Sequence, residues 1–315
     1  MLKIGIIGSD IMAQSYVEAF RKITTVQPVA CFDSPLETTK EFAKANHLVA
    51  EPSYEQVLNQ CEMIYIGNVV PDLKKEVMMT AVDLDKKFII CEPPFPFTEK
   101  EAQLLIAEVN RKGIHFAISF TGRFKNPLRQ FRYQLTSGRI GNAVHYWSHI
   151  CDEWKSELLL RYLQEEIDLI RWIGGEIIQT IAQGTQIPAA SEPKRALSVI
   201  FYLKNGSKAS LMINWDLSLK LVRRGLIGKD GTVIIEQKGL SLFEQMRFQL
   251  ASSNSEQVVK FTDADMLDSG ILEMVRLLLG EAIGDKTPVA DLVDGAKAAT
   301  ISQQILEELG FTTGN

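Results

Sequence analysis

The chain has 315 residues, 46% hydrophobic and 23% charged, a globular composition that is too apolar for a disordered chain. At ~150 residues per domain this length predicts two domains, and a chain of this size buries enough surface to need no disulfide or metal staple. Thirty-four basic against 39 acidic side chains give a net charge of −5, which argues against a surface built to neutralise nucleic-acid phosphates.

No apolar run approaches the ~18 residues of a membrane span, and the opening MLKIGIIGSD is too short and glycine-broken for a signal peptide. Cys31, Cys61, Cys91 and Cys151 lie far apart with no C-x-x-C pair, so the expectation is a reduced, cytoplasmic chain with no metal site.

Over the first 120 residues, short β-branched runs alternate with helix-period segments. LKIGII, QPVACF, MIYI, FIIC and HFAIS have strand length; helical patterns run over Met12–Lys22, Thr38–Asn46, Leu73–Leu84 and Glu99–Lys112. Thr98 and Glu101 form a capping box for the last of these. Doubly buried strands alternating with helices predict an α/β domain, a doubly wound parallel sheet of Rossmann type over residues 1–121.

From residue 122 to 315 the pattern predicts an α+β domain with a large, mostly antiparallel open sheet. Asn126 and Pro127 supply a cap and first-turn proline for a helix ending near Gly138. NAVHYWSHI reads as a strand, and Glu157–Ile173 as a helix stopped by Gly174 and Gly175. RALSVIFYLK and SKASLMINW flank Asn205-Gly206, which suits a type I′ hairpin turn; LVRRGLIG and TVIIEQK form a second hairpin around KDG. Helical patterns return at Ile271–Leu279 and Ala290–Leu309, the last helix being expected to return to the first domain. Helices cover only one side of such a sheet, so the other face, provisionally the one carrying Val199 and Leu211 with Ile200 and Met212 opposite, needs a second subunit.

The run Gly8-Ser9-Asp10-Ile11-Met12-Ala13 stands where a dinucleotide fold has its G-x-G-x-x-G/A turn. The first glycine and the final small residue are present, whereas Asp10 replaces the middle glycine. A carboxylate there either opposes a pyrophosphate or caps the helix. Asp33, ~25 residues beyond Gly8, is either an acceptor for the adenosine ribose or the residue that opens the turn before Pro35. No arginine follows it in Asp33-Ser34-Pro35, which favours NAD over NADP.

FIICEPPFPFTEKEA, ISFTGRFKNPLRQFRYQLTSGRIGNAVHYW, IGKDGTVIIE and PVADLVDGAKAA together resemble the Gfo/Idh/MocA oxidoreductases over nearly the whole length. The resemblance implies an N-terminal Rossmann domain, an NAD or NADP cofactor, a sugar- or polyol-type substrate, and a homodimer or homotetramer formed through the open sheet. It also implies a catalytic lysine in E-K-P and a histidine in D-x-x-x-H-x-x-D. This chain reads Glu92-Pro93-Pro94, so Pro93 takes the lysine position; Arg161, Glu165 and Asp168 take the aspartate, histidine and aspartate positions. The family's glycine-rich approach is Lys155-Ser156-Glu157, and its T-P-N-x-x-H run is Asn68-Val69-Val70-Pro71-Asp72-Leu73. Arg123 matches a basic position near the nicotinamide pocket.

The candidates are therefore Gly8 to Ala13, Asp33, Asn68, Glu92, Pro93 and Arg123 for cofactor, Glu165 and Arg161 for catalysis, and His149 and Asp168 for substrate. Arg161 and Glu165, four residues apart on one helix, are either a re-tooled base with an anion holder or a helix-surface ion pair. Arg123 is alternatively a solvent-exposed arginine. His145, His149 and Cys151 share one strand face, too few ligands for zinc. The four tryptophans, Trp147, Trp154, Trp172 and Trp215, are expected in the core or the dimer sheet. Two functions follow from the resemblance and its departures. One is an oxidoreductase with replaced acid–base groups, the other a non-catalytic ligand-binding sensor or scaffold; standard family catalysis is not expected.

Overall fold

The computed structural model describes residues 1–152, 156–185, 196–214, 220–238, 242–252, 256–261, 270–281 and 287–310, with backbone alone at 156–158, 185 and 242–244. Trp154, Lys155 and Trp215, and the side chains of Ser156 and Glu157, lie outside the described residues. Two compact units divide the chain, 1–121 with 270–300 and 122–269 with 301–315. The stretch 270–300 thus lies with the first unit, whereas a single cut at 121 assigns it to the second.

In the first unit the elements run β1 (Leu2–Ile7), α1 (Ile11–Arg21), β2 (Val26–Phe32), α2 (Leu36–Asn46), β3 (Val49–Ala50), α3 (Tyr54–Gln60), β4 (Met63–Ile66), α4 (Pro71–Asp83), β5 (Phe88–Cys91), α5 (Glu99–Lys112) and β6 (His115–Ile118). All six strands are parallel, in the order β3-β2-β1-β4-β5-β6. Their apolar runs are buried on both faces: every residue of β4 is inaccessible, as are Ile4, Ile6, Ile89 and Ile90. The order reverses between β1 and β4, which places the ligand crevice of such a sheet outside the carboxyl ends of those strands.

Thr98 and Glu101 do form the capping box of α5. The periodicity reading omits β3 and α3. Val57 of α3 sits so close to β1 that a Cβ on Gly5 would lie 2.3 Å from its Cγ1. A further helix, α8 (Ile271–Leu278), packs on α1.

The second unit begins with a 3₁₀ turn (Thr121–Phe124) and α6 (Asn126–Thr136). Lys125 rather than Asn126 is the capping residue of α6, and it makes no side-chain cap; Pro127 in the first turn fixes the start one residue earlier than expected. Then follow β7 (Ala143–Cys151), α7 (Ser156–Gly174), β8 (Ile177–Thr185), β9 (Ala196–Leu203), β10 (Lys208–Asn214), β11 (Leu221–Gly228), β12 (Gly231–Lys238), β13 (Leu242–Leu250) and β14 (Gln257–Lys260). A final helix, α9 (Leu292–Glu308), spans the division between the units. The sheet order is β14-β13-β12-β11-β7-β10-β9-β8, antiparallel at every described pairing except β7 with β10.

The β9–β10 hairpin is present, but its turn is not type I′. Among the described residues, non-glycine positive φ occurs at His47 and Asp85 only, so Asn205 is not left-handed; Gly206 is, at +85°. Gly206 donates to the Leu203 carbonyl and Leu203 to the Ser207 carbonyl, each at 3.0 Å, the pattern of a three-residue loop with a glycine bulge. The Asn205 side chain accepts from the Ser207 amide at 3.0 Å and donates to the Gly174 carbonyl at 2.9 Å, which holds it in that conformation.

Helices α6 and α7 cover one sheet face. On that side Tyr146, Glu166, Arg224 and Gln237 are buried together; Arg224 Nε donates to Glu166 Oε1 at 3.1 Å, the Tyr146 hydroxyl donates to Glu166 Oε2 at 3.3 Å, and Arg224 also reaches Gln237. Val199 and Leu211 face these helices and are buried, while Ile181, Ile200, Met212 and Ile227 are exposed. The provisional assignment of the uncovered face was therefore one residue out of phase. Trp147 belongs to that open face and lies across Gly225, where a Cβ would come within 2.3 Å of its indole.

Candidate nucleotide and ligand site

Gly8 follows β1 with φ +93°, and a Cβ there would lie 3.3 Å from the Asn68 nitrogen and the Gly67 Cα. Glycine is thus required both by the left-handed turn and by the close passage of the segment after β4. Ala13 is inaccessible, the small residue that lets α1 close on the sheet. Between them Asp10 is extended and caps α1: its Oδ1 accepts from the Ala13 amide at 2.9 Å, and its carbonyl accepts from Gln14 at 3.1 Å. The carboxylate therefore takes an N–H that an anion at this helix start would compete for. Ile11 is exposed beside it and Met12 half-buried.

Asp33, just beyond β2, is held from both sides. Its Oδ2 accepts from the Ser9 amide at 2.9 Å and from the Ser9 hydroxyl, and its Oδ1 accepts from the Ser34 amide at 2.7 Å. Thr39 of α2 clamps its backbone, the hydroxyl meeting both the Asp33 nitrogen and its carbonyl at 2.8 Å. Ser9, Asp10 and Asp33 thus converge at the carboxyl ends of β1 and β2. Asn68, exposed, joins them by its backbone beside Gly8.

At the end of β5, Glu92 and Pro93 are buried. The adjacent Cys91 thiol is pushed up to about 11 by burial, so it is no nucleophile near neutrality. Lys74 of α4, which the motif reading passed over, reaches this turn. The only signal for it is a lysine at a position whose helical neighbours Val77, Met78 and Ala81 are all buried.

In the second unit, Arg123 is not solvent-exposed. Its guanidinium is 4% exposed and binds the 1%-exposed Asp168 through two bonds, Nε to Oδ2 at 2.9 Å and a second through a terminal nitrogen. Nearer the start of α7, Arg161 Nε donates to Glu165 Oε1 at 2.8 Å, with side chains 19% and 38% exposed. Glu165 and Asp168 are thus both engaged by arginines. His149 does not join them. Tyr146 points to α7, and alternation along β7 puts His149 on the opposite, open face. There it contacts Asn214 and, at 3.6 Å, the Cys151 sulfur. Burial, then Arg223, lowers the His149 pKa below its usual value. Among the described residues no cluster of His, Cys, Asp or Glu could hold a metal ion, and no helix is long and apolar enough to cross a membrane.

Residues 2–120 match the model of the oxidoreductase family with an NAD-binding Rossmann fold, Gfo/Idh/MocA. A curated relative, trans-1,2-dihydrobenzene-1,2-diol dehydrogenase from Bos taurus, is 27% identical over 146 residues, 45% of this chain and 43% of that protein. Glucose-6-phosphate 3-dehydrogenase from Bacillus subtilis is 21% identical over 150 residues, 47% of this chain and 42% of its own length. The chain thus spans less than half the length of these curated relatives.

Solved structures align along almost the whole chain. UDP-N-acetylglucosamine 3-dehydrogenase from Acidithiobacillus ferrooxidans superposes with a TM-score of 0.80 at 18% identity, covering 98% of this chain and 97% of that one. An oxidoreductase from Agrobacterium radiobacter in complex with NAD+, L-tartaric acid and magnesium gives 0.79 at 14% identity, covering 98% and 96%. Levoglucosan dehydrogenase in complex with NADH and levoglucosan gives 0.78 at 17% identity, covering 98% and 97%. At such identities these structures share the fold.

Proposed function

We propose that this chain, whose residues 2–120 match the Gfo/Idh/MocA family model with its NAD-binding Rossmann fold, is an oxidoreductase-family protein that binds a nicotinamide dinucleotide, NAD in preference to NADP, together with a small sugar- or polyol-like ligand, and does not carry out the family's fast alcohol–carbonyl exchange. The residues present fit the dinucleotide. The Gly8 turn leaves no room for a side chain, Ala13 lets the helix approach, and the Asp33 carboxylate is oriented by Ser9 and Ser34. Asp10 opposes the pyrophosphate and weakens the fit without closing it.

When bound, a nicotinamide ring supplies a hydride acceptor. The chain must supply the group that takes the hydroxyl proton, and this is the observation that carries the reading. Pro93 has no proton to move, and the Glu165 carboxylate is in a 2.8 Å ion pair with Arg161. Asp168 is bound by buried Arg123 and ties the 3₁₀ turn to α7. A second reading rests on the partial exposure of the Arg161–Glu165 pair: an anionic substrate displaces Glu165 from Arg161 and frees it as a base.

One experiment separates them. The protein is titrated calorimetrically with NAD+, NADH, NADP+ and NADPH, then screened with polyols, aldoses, sugar phosphates and hydroxy acids. Binding without turnover supports the first reading, turnover confined to anionic substrates the second, and absence of binding defeats both. The uncovered face carrying Ile181, Ile200, Met212 and Trp147 supports a homodimer or homotetramer. Four buried free thiols, with Cys31 and Cys61 each pushed up to about 12 chiefly by burial, support a reducing cytoplasm.

A further inference from the structure

Lys74 and Lys75 are neighbours on α4 with opposite fates. Lys75 is exposed and pairs with Glu101 at 3.2 Å, an ordinary surface contact. Lys74 is 1% exposed, one of the largest fully buried side chains among the described residues. A buried ammonium persists only where polar groups replace its water. Here its Nζ donates to the Glu92 carbonyl at 3.0 Å and to the Pro94 carbonyl at 3.3 Å. These two carbonyls flank Pro93.

The chemistry of the turn explains why a lysine stands there. Pro93 and Pro94 both lack an N–H, so two successive residues at the carboxyl end of β5 have no backbone donor. The carbonyls still need partners, because the segment is buried: Glu92 is inaccessible and Phe95 is 1% exposed. One ammonium from α4, the helix that precedes β5, supplies both. On the far side the turn is seated against Gly295 at the start of α9, where a Cβ would come within 3.1 Å of the Phe95 ring. Neither side leaves slack.

We propose that Lys74 is a positioning residue for the nicotinamide end of the dinucleotide site: it fixes the Glu92–Pro93–Pro94 turn at the carboxyl end of β5 by bonding the carbonyls on either side of Pro93. The family's ammonium is in the turn itself; here an ammonium holds the turn from behind. This rests on the dinucleotide-binding reading above. It assigns Lys74 no proton transfer, because its nitrogen is enclosed.

The test compares two ligands on the full chain. ADP-ribose carries the adenosine and pyrophosphate of the cofactor but no nicotinamide, so its affinity reports the Gly8 turn and Asp33 while NADH reports the β5 turn as well. Lys74→Met is expected to weaken NADH about tenfold or more and leave ADP-ribose within about twofold. If Lys74→Met fails to fold, Lys74→Gln, which keeps one donor, is measured instead, with an expected NADH-specific loss of about threefold. Equal loss for both ligands, or loss for neither, overturns the positioning role and leaves the cofactor reading intact. A wild-type protein that binds neither ligand overturns the cofactor reading itself, and this proposal with it.

Discussion

Asp10 meets two demands with opposite requirements. As the cap of α1 it satisfies the Ala13 amide, but on the proposed reading its charge faces the pyrophosphate of the dinucleotide. Replacing a cap by glycine costs only a few tenths of a kcal/mol, whereas removing the like charge relieves repulsion at close range. Asp10→Gly should therefore tighten NADH by about fivefold or more with little change in stability, measured by titration and by thermal melting of the same samples. Unchanged affinity would mean that the carboxylate serves the helix alone. Asp168, expected from the resemblance to meet the substrate, is paired with Arg123 in the folded chain. Its pair with Arg123 is inaccessible, so Asp168→Asn leaves a buried guanidinium poorly compensated and should cost about 3–5 kcal/mol in urea unfolding. Glu165→Gln, in the part-exposed pair beside it, should cost under about 1 kcal/mol. The i,i+4 spacing set Arg161 and Glu165 on one helix side, but nothing local could place Arg123, 45 positions away in sequence from Asp168.

Whole elements were legible where pattern length exceeded the noise. β4 and β5 follow from the uninterrupted apolar runs MIYI and FIIC, β1 from a run broken only by Lys3, and α5 from its capping box and the helical spacing of Ala102, Leu105 and Val109. α3 was not, because its seven residues make under two turns and bury Tyr54, Val57 and Leu58 alone. The β9–β10 hairpin was legible from Asn205-Gly206, but the turn type depended on what the Asn205 side chain bonds, which is a tertiary fact. The α5 cap is local and was fully legible. The Thr98 hydroxyl accepts from the Glu101 amide, and the Glu101 carboxylate accepts from the Thr98 amide at 2.8 Å. Thr98→Ala should cost about 1 kcal/mol by thermal or urea unfolding.

The same box has a pH signature. The backbone hydrogen bond from Thr98, against a burial effect that raises it, holds the Glu101 pKa below its ordinary value. A group depressed in the folded state stabilises above its unfolded pKa and loses that contribution as pH falls through its folded pKa. The stability difference between wild type and a Glu101→Gln variant should accordingly shrink as the solution is acidified below the usual carboxylate range. A difference that grows on acidification would contradict this assignment. Salt and solvent exposure make the effect small.

At the scale of the whole molecule, the second sheet sets the question of assembly. Its helix-facing side is closed by Val199, Phe201, Leu211 and Ile213, all inaccessible or nearly so, while Ile181, Ile200 and Met212 on the other side are 47%, 42% and 43% exposed. Ile200→Glu together with Met212→Glu should lower the mass seen by light scattering at micromolar concentration without unfolding the chain. Val199→Glu, which buries a charge on the closed side of the sheet, should unfold it. A wild-type monomer at that concentration would contradict the assembly. Alternation gave the periodicity of these strands but not its phase, because both faces carry apolar residues; only the packing of the helices breaks the tie.

Scaffold and chemistry separate at this scale as well. The Rossmann sheet, its switch point and the open sheet are set by apolar patterns many residues long, whereas the proposed loss of proton transfer rests on single positions, 93 and 165, where this chain carries proline and a glutamate paired with Arg161. The most direct measurement is steady-state turnover with saturating NAD+ across polyols and aldoses at neutral pH, on protein already shown by calorimetry to bind the dinucleotide. The account predicts dinucleotide binding with turnover below about 0.01 s⁻¹ for every substrate, far under an ordinary enzyme rate. Turnover of ~1 s⁻¹ or more on any of them would contradict it.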